Sequence, residues 1–364
     1  MIEMITEYGV NHPLAVKKWS MGIGHNILQE VYFSKFMGKG TNSLIQVKTE
    51  LKKSPGDKIT FGLRNLLTGD GISGDEILEG NEEALITNSD AIYINQLRHG
   101  VKSKGRMSEQ RVPFSVREEC RIGLKDWWTE RMEQVFFNHL AGYTPETRLQ
   151  YNGNNTILAP TTGRQLYTSV DHTSDQTLDS SDTFTLSTID AAIEYARTAQ
   201  PRMRPLKING KDYFVLFLHE YCATDLRRAT DTQGWWDIQR AAMEGGRVSG
   251  SPIFTTALGE YHGVILHRSS YLPYGVNSST GAVVSNVRRN VLCGAQSMAL
   301  AYGRDGGPTR YDWVEKKFDY DNRLGVASGA IFGMKKIQYT PDNGGAAFDY
   351  GTMVISSWAQ PHSY

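Results

Sequence analysis

The stretch from residue 44 to residue 112 constrains this chain most, because it reads as a long ribbon with little core of its own. LIQVKTEL, DKITFGL and AIYINQL alternate apolar and polar residues as strands do, with turn signals at Ser54-Pro55-Gly56-Asp57 and Thr68-Gly69-Asp70-Gly71. Between the last two lies GDGISGDEILEGNEEALITNSD, in which residues 70–90 carry seven acidic groups and no basic one. From residue 91 to residue 121 the sign flips, with seven basic groups against three acidic. An isolated two-stranded ribbon is marginal in water, so this one must lie against something. Either it covers its own domain or it reaches over a partner subunit.

The clearest helix comes directly after the ribbon. Ser115 and Glu118 in SVRE form a capping box, in which the Ser115 hydroxyl accepts from the Glu118 amide and the Glu118 side chain reaches back. Val116, Cys120, Leu124, Trp127, Met132, Val135 and Leu140 recur at helical spacing, Gly142 stops the run and Pro145 prevents its continuation. A helix over 116–141 would extend roughly 39 Å at ~1.5 Å per residue, long enough to act as a strut.

Upstream, Trp19, Tyr32, Phe33 and Phe36 lie in short stretches broken by glycines and Pro13, and QEVYFSKFMG predicts two or three helical turns ending at Gly38. These rings pack on their own domain or on a neighbouring subunit; the residues favour neither. Downstream, 143–183 is polar, holds Asp171, Asp175, Asp179 and Asp182, and reads as a long surface excursion. A second helix is predicted before Pro201, a hairpin at Asn209-Gly210, helices at YCATDLRRA and WWDIQRAAMEGG, and a buried strand at YHGVILHR. The end is β again, in IFGMKKIQYT and FDYGTMVISSWA, where Gly329 and Gly333 suggest bulges.

Composition excludes several classes. Thirty-nine Lys and Arg balance thirty-nine Asp and Glu, so neither a basic nucleic-acid binder nor a polybasic membrane-surface protein is expected. No apolar run approaches the roughly 20 residues that cross a bilayer, and no secretory leader is expected at MIEMITEYGVNHP. Cys120, Cys222 and Cys293 are widely spaced and form no CxxC pair, which fits reduced thiols in a cytoplasm.

Catalytic motifs fail one by one. His219-Glu220 begins HExxH, but Ala223 stands where the second His belongs. MGIGHN lacks the third glycine of a dinucleotide fingerprint, GKGT lacks the order of a phosphate loop, and DGISGDEILE lacks calcium-loop spacing. Glu79, Glu82 and Glu83 could pair as catalytic carboxylates, but solvated charge or an intersubunit contact explains them better. No enzyme, cofactor or metal is expected.

A whole-chain resemblance does emerge. MGKGTNSLIQVKTELKKSPGDKITFGLRNLLTGDGISGDEILEGNEEAL and INQLRHGVKSKGRMSEQRVPF closely resemble the major capsid proteins of tailed bacteriophages of the N4-like type. The similarity continues through VREECRIGLKDWWTERMEQVFFNHLAG, NGNNTILAP, YFVLFLHEYCATDLR, LGEYHGVILHRS, LCGAQSMALAYG and FDYGTMVISSWA. Glu220 departs from it, standing where the family has Pro after the His.

The resemblance implies an α+β chain of the Hong Kong 97-like capsid fold. It divides the chain into an N-terminal arm over 1–43 and an extended β-hairpin loop over 44–113. A peripheral domain comes next over 114–200, with its spine helix at 116–141 and the polar excursion at 143–183. The axial domain spans 201–305, strands return through the peripheral domain over 306–345, and 346–364 forms a C-terminal strand assigned to the axial domain. The function implied is self-assembly into hexamers and pentamers that form an icosahedral head enclosing double-stranded DNA without reading its sequence. Portal, scaffolding and decoration proteins are the implied partners, and the virion, assembled in the bacterial cytoplasm, is the implied location. An encapsulin-like compartment is the alternative, with a hydrolase using His219 a distant third.

The candidate contact residues are chosen by charge. Asp75, Glu76, Glu79, Glu82 and Glu83 are expected to face Arg98, Lys102, Lys104, Arg106 and Arg111, from the same hairpin or another copy. Exposed pairs contribute only ~0–1 kcal/mol each, so they would set register more than strength.

Overall fold

Val116–Ala141 forms one unbroken 26-residue helix with a defined stop at each end. This computed structural model describes residues 32–50, 55–64, 67, 69–75, 77–228, 257–303, 312–342 and 344–362. Ser115 Oγ accepts from the Glu118 amide at 3.4 Å. The Glu118 carboxylate does not reach back; it takes the Arg121 Nε–H at 2.9 Å, so only half of the expected capping box forms. At the other end Gly142 takes φ 63°, and the Tyr143 amide reaches back to the Asn138 carbonyl at 2.9 Å. A Cβ at Gly142 would lie 2.7 Å from Pro160 Cδ, so glycine is required both for the turn and for the close approach.

The eight-stranded sheet beside this helix runs Gln165–Tyr167, Thr352–Trp358, Val283–Cys293, Lys211–Leu218, Val264–Arg268 and Gly259–Tyr261, with Leu206–Ile208 and Tyr274–Val276 joined off that path. Its side chains alternate between two cores. Val215, Phe217, Val291 and Cys293 pack with the long helix. Phe214, Leu216, Leu218, Leu292, Met353 and Ile355 pack with helices Leu186–Thr198 and Glu220–Arg228. Burial on both faces explains why these strands read as unbroken apolar runs. Asn209 and Gly210, at φ 51° and 79°, make the expected two-residue hairpin turn. YHGVILHR is not one strand: His262 and Gly263 take φ 48° and 78° and fold it into a hairpin.

The polar segment 143–183 is more than a surface excursion. Gln165–Tyr167 pairs in parallel with Val354–Ser356, and Asp175 is buried. Asp175 accepts from the Val276 amide at 2.7 Å and from Arg289 Nε at 2.8 Å. Arg289 also donates to the carbonyls of Ala141 and Gly142, at 3.2 and 3.0 Å, satisfying acceptors that the end of the long helix leaves open. Polar residues here are core partners, a role that composition alone cannot reveal.

A second sheet contains Met37–Gly38, Ile45–Lys48, Met298–Tyr302, Arg323–Lys336 and Asp312–Phe318, with Asn95–Lys102 paired to Arg323–Lys336. Ile45–Lys48, which alternation grouped with the ribbon, instead lies parallel to Met298–Ala301. The hairpin itself is Lys58–Arg64 against Thr87–Tyr93, in a third sheet with Gln338–Pro341 and Phe348–Asp349. After Tyr93 the chain passes through Ile94 and enters the second sheet.

Gly329 and Gly333 are not bulges. Arg323–Lys336 keeps continuous register with all three of its neighbours. The glycines permit close approach: a Cβ at Gly333 would meet the Tyr93 carbonyl at 1.9 Å, and one at Gly329 would meet Arg98 Cγ at 2.7 Å. The same strand buries Lys336, which donates to Asp349 Oδ2 at 2.9 Å and to the Ala159 carbonyl at 3.2 Å.

At the start of the described chain, Tyr32–Phe36 is a five-residue 3₁₀ helix; Gln29, Glu30 and Val31, where the expected helix would begin, lie outside the described residues. Phe33 stacks on Phe136 at 4.9 Å and Phe36 meets the edge of Phe217 at 5.3 Å. These rings therefore pack in their own subunit. Trp19 and the expected helix at WWDIQRAAMEGG lie outside the described residues.

Candidate functional site

The catalytic candidates have structural roles. His219 precedes helix Glu220–Arg228 and is buried, with its Nδ1 accepting the Tyr221 amide at 3.2 Å. Burial, helped by nearby Arg288, pushes its pKa down to about 4, so the ring is neutral at pH 7. Glu220 turns away towards Arg268, at 3.6 Å. All three cysteines are free and buried. Burial raises each thiol, Cys222 to about 11, which removes the thiolate that nucleophilic chemistry requires.

Among the described residues, one group brings metal-type ligands together: His172, Asp179 and Asp182. Its atoms are already engaged locally. Asp182 accepts the Asp179 amide at 2.8 Å and faces His172 at 3.2 Å, while Asp179 takes the Ser181 amide and hydroxyl at 2.8 and 2.6 Å. The cluster folds the excursion back on itself.

The surfaces that remain lie on the hairpin and the strand after it. The acidic loop between Arg64 and Thr87 is exposed at Asp75, Glu79, Glu82 and Glu83; Glu76 lies outside the described residues. Two of these carboxylates organise the loop itself. Glu83 accepts the Gly69 amide at 2.7 Å, tying the loop across its neck. Glu82 accepts the Gly80 amide at 2.8 Å, and the Asn81 side chain caps the Ile77 carbonyl at 3.0 Å.

The basic candidates are placed differently. Arg98 and Lys102 are on Asn95–Lys102, within the second sheet, and Lys104, Arg106 and Arg111 lie around the short helix Arg106–Gln110. Lys102 Nζ sits 5.0 Å from the centre of the Phe318 ring, and the Arg106 amide donates to Asn322 at 3.3 Å. The acidic groups thus lie in the loop of the third-sheet hairpin, and the basic ones on the second-sheet strand that follows Ile94 or just beyond it.

Charge reasoning missed a third component. Leu67, Ile77, Leu78 and Leu85 are all exposed on the acidic loop, and Met107, Phe318 and Tyr320 are exposed beside the basic strip. The only signal available beforehand was that ILEG and EALI place aliphatic residues in a loop with no strand alternation to bury them.

Known proteins resemble this chain along its length. A family described as "Phage capsid protein" matches residues 7–361. The "Major capsid protein" of Pseudomonas phage KPP25 is 28% identical over 357 residues, covering 88% of this chain and 89% of that one. The capsid of Ralstonia phage GP4 superposes with a TM-score of 0.80 at 31% identity, over 99% of this chain and 100% of its own. The cyanophage Pam1 capsid has the same fold, with a TM-score of 0.73 at 21% identity over 94% and 96% of the two chains. With the family match spanning residues 7–361, this chain belongs to the phage capsid protein family and has its Hong Kong 97-like fold.

Proposed function

We infer that the chain is the major capsid subunit of a tailed bacteriophage and acts by binding copies of itself into a closed shell. The observation that carries this reading is the end-to-end likeness to the GP4 capsid. In this reading Val116–Ala141 is the spine, the hairpin Lys58–Arg64 with Thr87–Tyr93 is the extended loop, and the eight-stranded sheet with its two shorter helices is the axial domain. The second sheet forms the peripheral domain, and 1–43 is the N-terminal arm, of which residues 1–31 lie outside the described residues. Hexamers and pentamers of the subunit close an icosahedral head around double-stranded DNA. A portal, a scaffolding protein and decoration proteins act at that shell, which is assembled in the bacterial cytoplasm.

Geometry, not chemistry, performs the task. Each subunit touches several neighbours, so modest contacts multiply through effective concentration. The even charge balance leaves no polybasic segment to condense DNA, which fits DNA driven in by a separate motor. Electron microscopy of the purified protein tests the reading: closed shells are expected, and a small sedimenting species at all concentrations would reject it. Nuclease-protected DNA in particles from infected cells distinguishes a genome shell from a cargo compartment.

A further inference from the structure

We propose that His172, Asp179 and Asp182 bind one first-row transition-metal dication, with zinc as the representative ion. The inference concerns the subunit alone and stands whether or not shells form. Each of the three side chains offers a ligand atom, and these atoms all lie within 4.8 Å of one another. His172 Nε2 and Asp182 Oδ2 are 3.2 Å apart. Two ligands bonded to one zinc at ~2.0–2.2 Å lie about 3.0–3.5 Å from each other, so this pair already has the separation that a shared ion sets.

No hydrogen bond sets that separation. Among the described residues none joins the His172 ring to Asp182, whose Oδ2 instead accepts the Asp179 amide at 2.8 Å. Asp182 is only 7% exposed, yet its Oδ1 accepts no hydrogen bond among the described residues. A buried carboxylate ordinarily has partners on both oxygens, and one left open beside an imidazole nitrogen points to a cation. Asp179 is exposed and uses only Oδ1, on the Ser181 amide and hydroxyl, so its Oδ2 is open too. The local bonds thus hold the ligands in place and leave an oxygen of each carboxylate for the ion.

The donor set selects the ion. One imidazole nitrogen with two carboxylates suits zinc and its first-row neighbours, whereas calcium and magnesium take oxygen ligands throughout. Water completes the coordination on the side where Asp179 meets solvent. The site is structural. Between His172 and Asp179 the chain delivers Asp175 to Arg289, and the Asp182 carbonyl accepts the Trp358 amide at 2.9 Å. An ion held by both ends of 172–182 therefore clasps a loop whose buried contacts reach two strands of the largest sheet. Binding to the folded chain alone adds to its stability.

Metal retention tests the site. The free subunit, stripped with a chelator and dialysed against zinc chloride, should retain zinc that His172→Ala and Asp179→Asn each hold more weakly. Loss of an outer-shell partner alone costs about 10–100-fold in metal affinity, and loss of a ligand should cost at least that. No retention by the wild type, or equal retention by both variants, would overturn the site. Asp179→Asn keeps an acceptor for Ser181 on an exposed side chain, so the test survives if His172→Ala does not fold. Zinc should also raise the melting temperature of the wild-type subunit, while calcium and magnesium at the same concentration leave it unchanged. An equal rise with calcium would reject the donor assignment. Cobalt in place of zinc should give visible bands without thiolate charge-transfer absorption; that absorption would move the metal to a cysteine and sink the proposal.

Discussion

The two ends of the long helix are built on different principles. From Val116 to Leu124 a single stripe of Val116, Cys120 and Leu124 meets Val112 and Val326, while most other side chains face outward. From Met132 to Ala141 nearly every side chain is buried, including Glu133, Asn138 and His139. The first end needs a cap and an amphipathic stripe. The second is surrounded by Phe33, Phe217 and Phe332, and its polar groups each need a partner inside the protein. A surface helix can be tuned one residue at a time, whereas a helix end enclosed by three elements cannot.

The largest effect should come from emptying the enclosed end. Phe136 is fully buried and packs against Phe33, Phe137 and Phe217. Phe136→Ala should cost about 3–5 kcal/mol in urea unfolding of the free subunit. A loss below about 1 kcal/mol would show that this end is less tightly enclosed than the packing implies.

Acid should act on the same end. His139 Nε2 donates to the Asn152 carbonyl at 2.8 Å, which leaves buried Nδ1 bare and the ring neutral. Burial pushes its pKa down from 6.5 to about 4, so between those values the unfolded chain binds a proton that the folded chain refuses. The stabilisation is complete above about pH 6.5 and is lost as pH falls towards 4, by an amount on the order of 3 kcal/mol. Melting temperature measured across that interval should fall, and His139→Gln should make the decline shallower by roughly half, because buried His219 is lowered over the same interval; an unchanged slope would assign it to other groups.

The smallest effect is expected at the exposed end. Ser115→Ala removes the bond to the Glu118 amide and should cost about 1 kcal/mol, read as a small shift in the unfolding midpoint. A cost comparable with Phe136→Ala would erase the distinction between the two ends.

Legibility divides along the same line. The helix, its Ser115 cap, its Gly142 stop and the Asn209-Gly210 turn could be read because each depends on residues a few positions apart. The half of the capping box that failed did so because Arg121 competes for the Glu118 carboxylate. Pairing of Ile45–Lys48 with Met298–Ala301 had no local signal, since its partner lies about 250 positions away. Nor did the buried pairs Arg289–Asp175 and Lys336–Asp349, whose residue types ordinarily mark surface. At the hairpin, alternation and charge located the acidic loop, but attention to charge concealed the exposed Ile77 and Leu78. It also set Glu82 and Glu83 opposite basic residues of the same hairpin or another copy, without revealing that each accepts a backbone amide within the loop.

The strand Thr352–Trp358 lies between Gln165–Tyr167 and Val283–Cys293, one place in from the edge of the largest sheet. This gives the subunit a clock. At translation rates of about 5–20 residues per second, the roughly 300 residues before Met298 take roughly 15–60 s to appear, and neither of the two larger sheets is complete until later strands emerge. A nascent or truncated chain lacks the strand that completes the largest sheet, and so cannot present a finished surface to its neighbours. The largest sheet therefore closes only when Thr352–Trp358, made well after its partner Val283–Cys293, comes into register.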